Sequence, residues 1–176
     1  IIDGLKLSSV FGVEYQHHHG SLYYSRQTLA GMLDGKPVGE SRREDATYFN
    51  WTNTNKLDFS KKFGRHSVGV YAGLELHHSG YNTAYASGSG FMNDHIKEIS
   101  YAEKDTRTGG SSASVSRTMS YFARGTYSYD SRYYISANFR RDGNSSFGKY
   151  NRWARFWSVG ASWNIYKESF YDGDWL

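Results

Sequence analysis

The sequence contains no cysteine, only one proline, and no apolar run that approaches the length of a membrane-spanning helix. Without cysteine, a disulfide framework and thiolate metal sites are excluded. A transmembrane helix needs roughly 18–20 consecutive apolar residues, so membrane crossing by a helix is excluded for this sequence. The first residues also lack the basic and apolar segments of a signal peptide. We therefore expect the leader of an exported form to lie upstream.

Aromatic residues are abundant instead. They make up 18% of the chain, with 16 Tyr, 10 Phe and 5 Trp, although the mean hydropathy is strongly polar. Tyr, Trp, Val and Thr favour strands, and disordered chains are poor in aromatic residues. A polar average with many aromatic residues is typical of a strand wall that has one apolar face and one wet face.

The excess of positive charge is small and mixed with negative charge. The formal net charge is +4, but basic residues stand next to acidic ones, as in the run Arg42-Arg43-Glu44-Asp45. A nucleic-acid-binding surface would concentrate cations on one face. The charge pattern therefore indicates solvated loops, and no nucleic-acid partner is expected.

Six segments alternate apolar and polar side chains with a period of two, which predicts strands. They lie at about residues 5–16, 47–59, 67–78, 120–129, 133–142 and 156–165. The apolar positions, taken as far as Phe139 in the fifth segment and from Trp157 in the sixth, carry no charge, whereas the polar positions are rich in Ser, Thr, Gly and Asn. A soluble β-sandwich also alternates, but its outer face is usually crowded with charge. The pattern predicts an all-β fold, an antiparallel up-and-down transmembrane β-barrel.

The connections between these segments alternate in length. Long polar stretches at about residues 20–46 and 82–116, and a medium one at 143–152, alternate with tight turns at 62–65 and 130–131. Outer-membrane barrels have long extracellular loops and short periplasmic turns, so the first strand is expected to run outward. The Gly-Gly-Ser-Ser-Ala-Ser run at 109–114 predicts a flexible loop tip. Six strands cannot close a barrel of this kind, so residues 1–176 are expected to form a partial barrel domain.

The last third of the chain carries a more specific pattern. It consists of Met119-Ser-Tyr-Phe-Ala-Arg-Gly-Thr-Tyr-Ser-Tyr-Asp130, Arg132-Tyr-Tyr-Ile-Ser-Ala-Asn-Phe-Arg-Arg-Asp-Gly-Asn-Ser-Ser-Phe-Gly148, Asn151-Arg-Trp153 and Ser158-Val-Gly-Ala-Ser-Trp163. These segments resemble the barrel of SusC/RagA-type TonB-linked outer-membrane transporters. In that family a SYFGR-x-x-Y-x-Y strand leads through a short turn into R-x-DGSS-x-FG, NRW and a strand that ends in Trp. Departures are Asn144 in place of the usual first Ser, and Trp157 where a Pro often precedes the Ser.

The resemblance implies that the chain is about six strands of a barrel of about 22, the size of plugged outer-membrane transporters. It also implies location in the outer membrane of a Gram-negative bacterium, surrounded by lipid. An N-terminal plug, absent from this sequence with the remaining strands, would contact the TonB complex. A SusD-like surface lipoprotein would cap the barrel, and the cargo would be oligosaccharide or peptide. Such a transporter is not an enzyme, and no cofactor is expected.

The sequence also contains histidine clusters, and two other function classes are alternatives to this interpretation. Consecutive histidines on a strand, as at 17–19 and 77–78, point to opposite faces and are poor joint metal ligands. No metal site is therefore expected. An outer-membrane barrel lipase or protease would need a catalytic set, for which His77 near Asp142 is the one pair available, and no Gly-x-Ser-x-Gly motif occurs. A secreted β-sandwich glycan-binding module would use the aromatic residues as sugar platforms, but would not explain an uncharged face on six strands.

Seven residues on the polar positions are predicted to contact the plug or the substrate in the lumen. They are Tyr71, Glu75, Phe122, Arg124, Asn138, Arg140 and Asp142. By register, Arg124 and Arg140 are expected on adjacent strands with their side chains on the same side, and Asp142 is a local counter-ion. The alternative interpretation is a ladder of charges that holds the inner wall together.

Overall fold

The computed structural model describes residues 2–148 and 150–171. Within this part the strands are β1 (Leu5–Tyr24), β2 (Met32–Leu33), β3 (Lys36–Pro37), β4 (Glu40–Phe63), β5 (His66–Ser89), β6 (Thr108–Tyr129), β7 (Tyr133–Asn144) and β8 (Trp153–Trp163). Short 3-10 helices lie at Leu29–Gly31, Ile99–Tyr101, Lys104–Thr106 and Ile165–Lys167. None of the helices in the described part could cross a bilayer by its length and apolar character.

The six long strands form one sheet in the order β1-β4-β5-β6-β7-β8, and β2 pairs with β3 in a separate hairpin. Apart from that hairpin, each strand lies beside its neighbour in the chain. The β6–β7 ladder is antiparallel from Thr118↔Asn144 to Tyr129↔Tyr133, and β7 continues into an antiparallel ladder with β8. The predicted up-and-down antiparallel architecture is therefore confirmed.

Two tight turns lie where the sequence predicts them. Residues 64–65 join β4 to β5, with Gly64 at φ +57°, a conformation that glycine adopts without steric cost. Asp130 and Ser131 follow β6 at φ +51° and +53°. Positive φ at two successive residues is the backbone of a type I′ turn, whose twist matches that of antiparallel strands.

The strands are longer than the alternation predicted, and two loop assignments are wrong in extent. β1 continues to Tyr24 and β4 begins at Glu40, which leaves residues 25–39 as the connection. Likewise β5 continues to Ser89 and β6 begins at Thr108, so the run at 109–114 lies inside a strand and not at a loop tip. Pairing with a neighbouring strand overrides the weak strand preference of Gly and Ser. The predicted alternation of long and short connections holds.

One face of the sheet exposes large apolar side chains. Leu7 on β1 is 74% exposed, Ile135 on β7 52%, and Trp157 on β8 77%. Among the described residues, only Ala46, Phe91 and Ala102 are buried apolar side chains. A water-soluble domain rarely exposes so many large apolar side chains on one face of a sheet. A lipid-facing barrel wall requires this exposure.

The chain divides into two compact units. The first comprises Ile1–Gly12, Trp51–His78 and Ser116–Leu176, and contains both tight turns, β7 and β8. The second comprises Val13–Asn50 and Ser79–Val115, and contains the long connections and the β2–β3 hairpin. The three buried apolar residues all belong to the second unit, so among the described residues the beginning of a packed core lies in this unit.

In the second unit a single carboxylate joins the 90–107 connection to the end of β1. Asp94 accepts hydrogen bonds from the Tyr23 hydroxyl at 2.8 Å, the Ser25 hydroxyl at 3.0 Å and the backbone N–H of Arg26 at 2.9 Å. The Arg26 backbone donor, with the two hydroxyls, lowers the pKa of Asp94. Nearby, the Phe91 ring packs edge-on against Tyr23 at 5.5 Å.

We expect Val70→Arg, in the complete polypeptide that carries this segment, to lower the free energy of unfolding by roughly 2–4 kcal/mol, because it places a charge in the lipid-facing wall. Val70 is 47% exposed on the apolar face. Ser136→Arg on the wet face is the matched control and should cost much less. Denaturant unfolding in lipid vesicles measures both. Equal losses would reverse or abolish the assignment of the two faces.

The Asp94 contacts predict a pH dependence of the 90–107 connection. Because the pKa of Asp94 is lowered in the folded state, its contribution is complete at neutral pH and is lost as the pH falls through that value, below about 4. Hydrogen exchange, corrected for intrinsic rates, should show protection of the connection only above that range. Asp94→Asn should remove the protection at neutral pH. Asp34→Asn, at the positive-φ turn of the β2–β3 hairpin, is the control, and equal exchange in the two variants would contradict this account.

Candidate functional site on the polar face

The seven residues predicted on the polar positions lie on three neighbouring strands, and we call them the polar-face cluster: Tyr71, Glu75, Phe122, Arg124, Asn138, Arg140 and Asp142. The β6–β7 register places Phe122 opposite Arg140, and Arg124 opposite Asn138. Directly paired residues project to the same side of a sheet. The predicted placement of Arg124 and Arg140 on one side of adjacent strands is therefore confirmed.

Arg140 is the best-connected member of the cluster. Its Nε donates to both carboxylate oxygens of Asp142, at 2.8 and 3.1 Å. Its Nη2 lies 3.3 Å from Oε1 of Glu75 and donates to the Ser120 hydroxyl at 3.1 Å. The other oxygen of Glu75 accepts from the Thr54 hydroxyl at 3.1 Å. One guanidinium thus joins β5, β6 and β7 on the wet face.

These contacts assign Arg140 a part in holding the wall together. An exposed ion pair contributes about 0–1 kcal/mol, because both side chains lose freedom and water screens the charges. The side chain of Arg140 is 44% exposed, and those of its acidic partners about one third, so the network fixes side-chain positions more than it adds stability. The charge ladder considered as an alternative describes Arg140 well.

An aromatic pair lies next to this network. The rings of Tyr71 and Phe122 meet edge to face, with centroids 6.1 Å apart. Gly73 on β5 makes room for the pair, because a Cβ at that position would collide with the Phe122 ring. Lys56 holds its ammonium 5.3 Å from the Tyr71 ring centroid and 3.0 Å from a carboxylate oxygen of Asp58. The polar face therefore presents an aromatic surface between fixed charges.

Arg124 differs from Arg140 in its surroundings. It lines a depression of about 480 Å³ whose other walls carry hydroxyl groups, among them Thr126, Ser136 and Tyr134. In the described part of the chain no hydrogen bond or ion pair engages the Arg124 guanidinium. Asp58 lines a further depression with Arg124 but pairs with Lys56. A cation beside hydroxyl groups and outside any ion pair of the described residues is suited to bind an anion or a carbonyl from another molecule.

A second depression of about 480 Å³ is lined by Tyr71, Glu75, Phe122, Asn138 and Arg140. The structure thus brings five of the seven predicted residues to one surface. Asp142 joins them through Arg140, and Arg124 belongs to the neighbouring depression. Contact of these residues with a plug or a cargo stays a prediction.

The histidines considered as ligands or catalytic residues have other partners. His77 lies 2.9 Å from the Thr52 hydroxyl, whereas Asp142 binds Arg140. His19 lies 2.7 Å from an oxygen of Asp45. Across the described residues, no three His, Asp or Glu side chains are grouped in a way that could hold a metal ion.

The sequence interpretation missed two arginines on the opposite, apolar face. The apolar positions are taken only to Phe139 in the fifth segment and only from Trp157 in the sixth. β7 continues to Asn144 and β8 begins at Trp153, so Arg141 and Arg155 fall on the apolar positions as direct partners. Extending the period of two by one step at each end would have found them.

Comparison with known proteins gives relatives of one kind, although no protein-family model matches the chain. The chain is 32% identical over 176 residues to TonB-dependent receptor P3 of Formosa agariphila. The alignment covers 96% of the chain and 17% of that protein. It is 30% identical over 122 residues to TonB-dependent receptor SusC of Bacteroides thetaiotaomicron, covering 69% of the chain and 12% of that protein.

Solved structures of the RagAB peptide importer share the fold. In the open-open state of that importer, one chain superposes with a TM-score of 0.88 and 25% identity, over 97% of this chain and 19% of that one. The chain therefore spans less than a fifth of the length of these relatives. The relatives are receptors and transporters, which agrees with the prediction that the chain is not an enzyme.

The family of the chain follows from four observations: the strand order, the exposed apolar face, the sequence identity and the superposition. The chain belongs to the SusC- and RagA-like TonB-dependent receptors of the Gram-negative outer membrane, as a stretch of their β-barrel.

Proposed function

We propose that this chain forms part of the wall of a TonB-dependent transporter that imports oligosaccharides or peptides across the outer membrane. The observation that carries the proposal is the division of the sheet into two faces. Uncharged apolar side chains such as Val159, 67% exposed, cover one face. Charged, hydroxyl and amide side chains cover the other, as a wall between lipid and a wet lumen requires.

The partners and the cargo follow from the relatives and belong to the complete protein. The RagAB structures are named for a peptide importer, and a transporter of this type would work with a SusD-like surface lipoprotein and be energised by TonB through a plug. The wet face offers what either cargo needs. The Tyr71–Phe122 pair can pack against a sugar ring or an apolar side chain, and Arg124 can bind a carboxylate or a carbonyl.

Within this proposal the cluster residues seat the plug or the cargo and take no part in a chemical step. Arg124 is the principal contact, because no group of the described chain engages its guanidinium. Arg140 acts indirectly, because two carboxylates already hold it. Its network keeps Glu75 and Ser120 in place.

Replacing Arg124 and Arg140 together with Gln should leave the barrel assembled but impair uptake several-fold, or let small solutes leak through. The reason is that a lumen contact is lost while the backbone ladders stay intact. Assembly is measured by heat-modifiable migration in electrophoresis. Uptake is measured by growth on the cargo, and leakage by entry of an antibiotic that the intact membrane excludes.

The single variants separate the two roles. Arg124→Gln should account for most of the loss of uptake, whereas Arg140→Gln should mainly lower stability, by about 1 kcal/mol or less. Arg42→Gln in the second unit, where this residue is paired with Glu44 at 3.5 Å, controls for loss of one positive charge. Normal uptake without leakage in the double variant would reduce both arginines to wall structure and contradict their proposed role.

A further inference from the structure

Two arginines lie side by side on the apolar face of the sheet. The β7–β8 register pairs Arg141 directly with Arg155, and the β6–β7 register pairs Arg141 with Tyr121. Like charges placed directly opposite one another on adjacent strands repel and destabilise the pairing. Retaining two cations there, beside exposed apolar side chains such as Phe139 and Trp157, calls for an anion between them.

The described chain does not supply that anion. No carboxylate of the described residues forms an ion pair with Arg141 or Arg155, and Nε of Arg141 is buried without a hydrogen-bond partner. Arg140, the preceding residue on the opposite face, has two carboxylate partners. Of these two neighbouring arginines, Arg140 on the polar face therefore has carboxylate partners, whereas Arg141 on the apolar face has none among the described residues.

The Arg141 guanidinium is held in place by aromatic stacking. It lies 4.4 Å from the centroid of the Trp153 ring, and that ring stacks on Tyr121 with an interplanar angle of 25°. Gly143 allows this arrangement, because a Cβ there would lie 2.9 Å from the Trp153 ring. A guanidinium stacked on the face of a Trp ring has its N–H donors in one plane, which suits bidentate hydrogen bonding to a phosphate.

The surroundings of the pair suit an amphiphile. On the side toward the β6–β7 turn, the apolar face continues with Phe139, Trp157 and Val159, which are 45%, 77% and 67% exposed. On the other side lies a largely apolar groove of about 320 Å³, with Arg117 and Arg152 in its walls. Cations therefore border a wide apolar surface, and aromatic rings mark the boundary, as at a membrane interface.

We propose that Arg141, Arg155 and Trp153 bind the phosphate headgroup of a lipid in the outer leaflet, with its acyl chains along Phe139, Trp157 and Val159. The guanidinium forks match phosphate oxygens, and the ligand's charge removes the repulsion within the pair. Residues 145–152 join β7 to β8 at the ends opposite the tight turn at 130–132, which is the outer side in an outer-membrane barrel. The site rests on this membrane placement and not on any cargo.

Native mass spectrometry of the complete protein in detergent tests the site with defined probes. Dioleoyl phosphatidic acid should bind more tightly than dioleoyl phosphatidylcholine, which has the same chains but no net charge. Arg141→Gln with Arg155→Gln should weaken phosphatidic acid binding roughly tenfold or more, because charge-assisted hydrogen bonds are lost. Arg42→Gln with Arg43→Gln, which removes the same charge from the second unit, should leave binding within about twofold.

Uptake and electrophoretic migration of the same variants distinguish this site from the transport proposal, since both should stay normal when only the lipid contact is lost. If the double Gln variant fails to assemble, Arg155→Gln alone tests the contact on the exposed face of β8. Unchanged phosphatidic acid binding in the Arg141 and Arg155 variants overturns the proposal. Full displacement of the lipid by millimolar inorganic phosphate also overturns it, because the site would then recognise a free anion.

Discussion

Complete backbone pairing in a medium without water is the constraint on which this structure depends. A strand in lipid must satisfy each N–H and C=O through its neighbours, because no solvent can do so. Within the described sheet the four inner strands meet this requirement by pairing on both sides, and β1 and β8 pair on one side each. Once the ladders are fixed, each side chain has one of two environments, and the alternation of the sequence follows from the pleat.

The same constraint explains why the two faces handle charge differently. On the polar face, charged side chains stay hydrated, so their desolvation cost is small, and they form local ion pairs such as Arg140 with Asp142 and Lys56 with Asp58. On the apolar face of the first unit, cations occur where strands reach the end of the apolar band, beside Trp153. An unpaired cation is therefore informative on either face. We propose a ligand in the lumen for Arg124 and a membrane lipid for Arg141.

The sequence predicted whatever depends on a period of two or on a local turn. The faces of Val70 and Arg140, and the turn at Asp130, could be read directly because each follows from neighbours along the chain. The ends of the strands could not be predicted in this way, because the Gly and Ser residues at 109–114 form a strand only when a partner strand lies beside them.

Contacts between distant residues were also out of reach of the sequence. Glu75 on β5 contacts Arg140 on β7 across the intervening strand β6, and this depends on the strand order of the sheet. Asp94 contacts Tyr23 because the 90–107 connection folds back to the end of β1. The arginine pair on the apolar face was an intermediate case. Its face was readable, but the ends of β7 and β8 had to be known first.

Site-directed spin labelling along β7 is the most direct test of the two-faced wall. The chain has no cysteine, so one introduced at each position from 134 to 139 carries the only label in this segment. In the complete protein in lipid vesicles, labels at Ile135, Ala137 and Phe139 should relax with oxygen, which concentrates in lipid. Labels at the alternate positions should relax with a water-soluble nickel chelate. Accessibility without a period of two along β7 would contradict the account.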